Sequence, residues 1–454
     1  MFLLFPAVTM LLGWGLRGYI GGGPFGAMIP GAFVALSLSM LLNLSVKDTA
    51  MFTVFSAVAI GLGGEMTYGQ TLGFLRHLET MWWGTLGTTV KGAVWGLLGG
   101  VVVGLGLIFK RIPAKQHFIA YALMMLGMLI GFKLINQPMV IYFSDPAKPR
   151  AETWAALLFG AIAMLIYLKV KLENDNFIII SRTALWGLIG GGLGFGLGGF
   201  WMVLGSHLPK DAIFLDWWKA MEFTFGLLLG AGLGIAAWFN RNQLTQPDIQ
   251  PADNRPEVAP FWKDFSIFLV LSLVIFWVIP GLLDDYVDSN YTQGSFTIPG
   301  LVDIAKMISN FAFFGLILIA AAIRIPSQRW QIAITMTFCY AAIDYFQDVF
   351  PDANTNTPFS IYFLLISLMV FAVGALTAWF QRKENIIRNM FLLLVWACMF
   401  VAYLRLFLHP DDLNFSGLSL FRIISGKLFV HLIFTVSAVF ISWFAVSKLR
   451  DYQK

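Results

Sequence analysis

The first stretch that could do chemistry is Gly13-Trp14-Gly15-Leu16-Arg17-Gly18-Tyr19-Ile20-Gly21-Gly22-Gly23-Pro24-Phe25-Gly26. Glycine at this density, with Pro24, interrupts an otherwise apolar helix, and interrupted backbone at membrane depth must be satisfied by protein or by water. The N–H groups of Gly21, Gly22 and Gly23, the positive end of the helix that follows, and the Arg17 side chain would together attract an anion. The same spacing also serves close helix packing through small residues. A second set is ionisable residues inside apolar runs, namely Glu65, Lys91, Lys219 and Glu222. Glu65 and Lys91 stand near mid-membrane, where each costs on the order of 2.5–3.5 kcal/mol and needs a compensating partner, while Lys219 and Glu222 stand near the outer end, where snorkelling accounts for Lys219 but less well for Glu222. The depths of Glu65 and Lys91 in neighbouring runs predict that these two pair. Lys219 and Glu222 stand three residues apart, on one helix face.

A third set lies toward the C-terminus. Asp344 and Asp348 are one helical turn apart, which puts two carboxylates on one face, an arrangement suited to proton handling, a divalent cation or sugar hydroxyls. Trp83 and Trp218, each the second of a Trp-Trp pair, could wall a polar solute or stack on a cation; the plainer role is an interfacial aromatic belt. The two cysteines, Cys339 and Cys398, sit in apolar runs without metal-ligand spacing, and the five histidines are scattered, so neither a zinc site nor bis-histidine haem is indicated. No GxSxG elbow and no phosphate-binding P-loop occurs. No catalytic residue, metal site or cofactor is therefore assigned, and hydrolase and ATPase readings fall away.

The elements that must hold these residues follow from composition. The chain has 454 residues, 58% of them hydrophobic and only 12% charged, with a mean hydropathy of +0.76. Soluble domains carry about 25% charge, so the solvent implied here is lipid, and disorder, disulfide scaffolds and nucleic-acid binding are excluded. Apolar runs separated by polar or Pro/Gly breaks fall at about 2–16, 27–45, 51–74, 81–109, 117–142, 153–169, 178–204, 216–239, 262–283, 301–323, 331–348, 359–380, 391–408 and 427–447. The loops after even-numbered runs are basic, and those after odd-numbered runs are acidic or mixed. By the positive-inside rule both termini are cytoplasmic. The expected fold is an all-α, polytopic membrane protein of about fourteen transmembrane helices in the cytoplasmic membrane, with an uncleaved first helix.

Glycine usage divides the chain, since 37 of the 44 glycines precede residue 241. Residues 1–239 are read as a Gly-rich eight-helix domain, 240–260 as a Pro-rich cytoplasmic linker, and 261–454 as a six-helix domain. Gly61-Leu62-Gly63-Gly64 precedes Trp82-Trp83 at the spacing by which Gly196-Leu197-Gly198-Gly199 precedes Trp217-Trp218. That makes the third and fourth helices and the seventh and eighth a parallel repeat.

These features point to a secondary-type transporter of a small polar solute, a sugar, sugar acid or organic anion, and not to an enzyme. The expected substrate residues are Arg17, Gly21, Gly22, Gly23, Glu65, Trp83, Lys91 and Trp218, in the outer half of the first domain. Glu65, Glu222, Asp344 and Asp348 are the candidates for ion coupling or proton handling. The expected partners are the bilayer, the solute and a coupling ion, with no nucleic acid. A membrane transferase for a lipid-linked, glycosyl or acyl substrate is the enzymatic alternative, and a non-catalytic subunit of a membrane complex the structural one.

Overall fold

A computed structural model describes residues 1–208, 215–244, 311–349, 359–408 and 419–448, with isolated positions between 257 and 274 and Gly417. Among these residues the fold is all-helical, and nine helices are long and apolar enough to cross a membrane, which makes this a multi-pass membrane protein.

The first part comprises α1 (Leu4–Ile20), α2 (Gly23–Leu41), α3 (Val46–Gly63), the short α4 (Gly69–Phe74), α5 (Met81–Leu107), α6 (Ala114–Gly131), α7 (Trp154–Lys171), α8 (Asn174–His207) and α9 (Trp217–Leu244). Then come α10 (Phe311–Arg324), α11 (Thr337–Val349), α12 (Phe359–Phe380), α13 (Ile386–Leu408) and α14 (Phe429–Trp443). Local chemistry sets several boundaries. Ser45 caps α3, its hydroxyl accepting from the Asp48 N–H, and Asp48 places an acid in the first turn. Gly23 has φ +59°, a conformation that glycine adopts without strain, and Pro24 follows it into α2.

Three expected boundaries are corrected. α2 begins at Gly23, and the break after α1 is confined to Gly21 and Gly22. The run expected as one helix over 51–74 divides, because Gly64 is pressed against the Pro24 backbone and the chain turns there before α4. Residues 240–244 belong to α9, where Asn240 is buried and donates to the Ile179 carbonyl, so they are not linker. The run at 262–283 lies mainly outside the described residues.

Six helices form a closed ring in the order α1, α2, α3, α5, α8, α9, each packed antiparallel on the next. The α5–α8 contact is the most extensive, and its geometry explains the glycines. A Cβ on Gly96 would lie 1.8 Å from the Gly187 carbonyl oxygen, and one on Gly191 would lie 2.2 Å from that of Gly92. Backbones can touch only because both faces lack side chains. α8 turns a second glycine face, Gly190, Gly194 and Gly198, to α9, and α9 turns Gly226, Gly230 and Gly234 to α1. Inside the ring, Trp14 of α1, Trp95 of α5 and Phe225 of α9 meet edge to face or tilted, with centroids 4.4–5.7 Å apart. Such aromatic pairs add stability beyond area burial. Helices of the later part pack on the outside of this ring, α10 on α3, α13 on α2, and α14 on α1.

Gly96→Ala should therefore lower the detergent-solubilised protein's stability by about 1–3 kcal/mol, as overpacking does. Gly73→Ala should change it little, because a Cβ there meets nothing within 4 Å. Thermal unfolding of both variants checks the contrast.

Candidate functional site

Charged and polar side chains gather inside the helix ends nearest the α1–α2 break, in two adjoining clusters.

The first cluster is built on Arg17, in the last turn of α1, where a cation is favoured by the helix dipole. Its side chain is 4% exposed. One terminal nitrogen donates to the Tyr68 hydroxyl and the other to the Gly23 carbonyl at 3.3 Å. The guanidinium carbon lies 5.5 Å from the Trp14 ring, 5.6 Å from Tyr68 and 5.5 Å from Trp95. Its Nε is buried without an acceptor, and none of the ion pairs among the described residues includes it. Beside it, Lys219 and Glu222 are both buried and bonded at 2.6 Å. Lys219 also donates to the Gly15 carbonyl at 3.3 Å, and the Trp218 indole N–H donates to Glu222 at 3.0 Å. The Trp218 ring stacks on Tyr68 with centroids 5.9 Å apart. Gly18 makes room for the carboxylate, since a Cβ there would lie 2.3 Å from both Glu222 oxygens. Arg405 of α13 donates to the Tyr19 carbonyl, a C-terminal carbonyl of α1 left open by helix geometry.

The second cluster centres on Lys91, and here the expected pairing is corrected. Lys91 pairs with Glu152 at 2.8 Å, both side chains being 1% exposed. Its other bonds, each 2.7 Å, go to the Thr67 carbonyl and the Thr71 hydroxyl. Glu152 also accepts from Ser144 Oγ at 2.7 Å and the Phe143 N–H at 3.1 Å. The pair is saturated, and it fastens the 137–153 segment, along with Thr71 donating to the Phe143 carbonyl. Glu65 faces elsewhere: its carboxylate accepts the Phe311 N–H at 2.7 Å, at the start of α10. The physical reason is the turn after Gly63, which takes Glu65 out of the helix that would have aimed it at α5.

Of the expected site residues, the fold brings together Arg17, Gly21, Gly22, Gly23, Trp218 and Glu222. Lys91 joins them only through the Thr67–Tyr68 backbone. Trp83 packs on Phe143 at 4.9 Å and is 42% exposed, whereas the rings around Arg17 are Trp14, Tyr68 and Trp95. Asp344 and Asp348 belong to α11, and their side chains lie outside the described residues. Sequence reasoning missed Tyr68 and Glu152. Tyr68 lay inside an expected helix, and Glu152 lay in one of the loops expected to be acidic or mixed, although its position just ahead of an apolar run was a usable signal.

Comparison with known proteins finds no matching family model, no similar curated protein and no similar solved structure.

Removing one member of a buried pair costs about 3–5 kcal/mol, because the other charge is stranded. Glu152→Gln should show a loss of that order in denaturant unfolding, and Lys91→Met/Glu152→Leu a loss smaller than the sum of the two singles. Lys91→Met and Glu65→Gln should be additive to within about 0.5 kcal/mol, as for residues sharing no partner.

Proposed function

We propose that the chain is a secondary-type transporter of a small solute bearing an anionic group, and that Arg17 receives that group. One observation carries this reading: a guanidinium 4% exposed at a helix break, with a buried Nε lacking an acceptor and no carboxylate at ion-pair distance among the described residues. A buried cation ordinarily has a paired acid, as Lys91 and Lys219 do here. The Gly21–Gly22 backbone, the Trp218 face and the Tyr68 hydroxyl supply the polar and apolar contacts of a solute site. Glu222, held by Lys219 and Trp218, is the group for ion coupling, and the solute class is a carboxylate such as a sugar acid or simple organic acid.

The finer topology belongs to the same proposal. The shorter apolar helices and the run at 262–283 complete about fourteen spans in the cytoplasmic membrane, with both termini inside, a Pro-rich linker between two membrane domains, and a parallel repeat. α3–α5 and α8–α9 are both antiparallel neighbours within the ring, which supports the repeat. A non-catalytic subunit is the second reading, favoured by the glycine faces, which make tight helix interfaces in their own right.

Arg17→Lys should reduce anion uptake into proteoliposomes at least tenfold, since a point charge replaces a planar fork, while leaving the unfolding temperature near that of the parent. Unchanged uptake of an anion carried by the parent overturns the assignment. For orientation, a cysteine at Lys115 should label from the cytoplasmic side and one at Lys148 from outside, in a background lacking the buried Cys339 and Cys398; labelling from one side only would contradict the inside-outside order.

A further inference from the structure

The opposite ends of the helices carry different chemistry. A cleft there is lined by Lys47, Ala50, Glu257, Pro326, Arg329 and Trp330 and is open at the surface. Lys47 stands in the first turn of α3, and Arg329 and Trp330 lead into the turn of wide helix that precedes α11. The nearest acid on α3, Asp48, is already committed, with Lys110 at 2.6 Å and the Ser45 hydroxyl donating at 2.6 Å. Among the described residues, neither Lys47 nor Arg329 has a carboxylate at ion-pair distance. Arg329 is anchored through Nε, which donates to the Ala322 carbonyl at 2.9 Å, and its carbon lies 5.7 Å from the Phe109 ring. Trp330 is 2% exposed, and its indole N–H is buried without an acceptor.

Two cations from two separate elements, Lys47 and Arg329, thus line one small cleft with Glu257, and Trp330, whose N–H is buried without an acceptor, lines it too. An indole N–H can only donate, a lysine offers a point charge, and an arginine offers a fork. The ligand that meets both cations is an oxyanion, and a phosphate offers oxygens to each. We propose that this cleft binds a phosphate group, from a phospholipid headgroup or as inorganic phosphate. The site is independent of the Arg17 cluster. Its level agrees with a headgroup, because the ends of α5 and α6 nearby carry Lys110, Arg111 and Lys115, and basic residues collect where anionic lipid headgroups lie. Burial holds the Arg329 guanidinium below its ordinary pKa, offset in part by Glu257 and Asp48. A bound oxyanion would add to that offset.

The test uses the full chain purified in a neutral detergent and follows its unfolding temperature. Phosphatidylglycerol is titrated against diacylglycerol, and inorganic phosphate against chloride at matched ionic strength. A saturable rise with a phosphate source and none with its control is expected. Lys47→Gln and Arg329→Gln should each weaken the apparent affinity about tenfold, the effect of losing one charge-assisted bond. Trp330→Phe should weaken it less, and Lys171→Gln, which removes the same charge at the end of α7 outside the cleft, should leave it unchanged. Response to phosphatidylglycerol alone assigns the headgroup, and response to both assigns any accessible phosphate. No saturable rise with either source overturns the proposal, as does an equal loss in Lys171→Gln and Lys47→Gln. Native mass spectrometry of lipid bound to the parent protein gives a reading that does not depend on how the variants fold.

Discussion

Everything near Arg17 depends on how closely α5 and α8 approach. In a bilayer the lipid chains are as apolar as the helices, so association rests on packing and backbone proximity more than on expulsion of water. The glycines of α5 and α8 let two backbones meet, and those of α9 extend the contact to α1. The ring closes, and its interior is small enough for Trp14, Trp95, Phe195 and Phe225 to fill it. Close packing at this density makes the frame rigid. It is this frame that holds α1's last turn, and therefore Arg17, against aromatic faces.

Within the frame two of the buried cations, Lys91 and Arg17, meet different fates. Lys91 has three acceptors and a carboxylate that is itself satisfied by Ser144 and the Phe143 N–H, so nothing is left for a ligand. Arg17 keeps a donor without an acceptor and makes three ring contacts. Cation–π contacts of this kind contribute about 0.5–2 kcal/mol each, while stripping water from an unpaired charge costs several kcal/mol. The contacts, the helix dipole and the bonds to Tyr68 and Gly23 are of the same order as that cost, so the charge brings no net stability. The saturated pair fastens a loop, whereas Arg17 keeps a donor open.

The membrane class, most of the helices and the break after Arg17 were legible from the residues, because hydropathy and glycine-proline clustering act locally. The partners of the buried charges were not. Assigning Glu65 to Lys91 assumed a continuous helix from 51 to 74; the close approach of Gly64 to Pro24 ends it at Gly63, and that contact joins residues forty positions apart. Glu152 reaches Lys91 only because the 137–153 segment folds back over α4, stitched by Gln70, Thr71 and Thr67 to its backbone. Local pattern carries no record of such a return. Tyr68, likewise, is placed by the turn after α3 and not by any helical phase.

The central proposal is that Arg17, which has no carboxylate at ion-pair distance among the described residues, is kept for an anion. Its most direct measurement is the unfolding free energy of Arg17→Met in the absence of any added solute, compared with the parent. The account predicts that the variant is as stable as the parent or more so, because a charge held at a cost gives way to an apolar chain of similar length, as at other sites where function is held against stability. A loss of about 3 kcal/mol or more, the penalty for breaking a satisfied buried pair, would contradict it and make Arg17 a structural cation like Lys91.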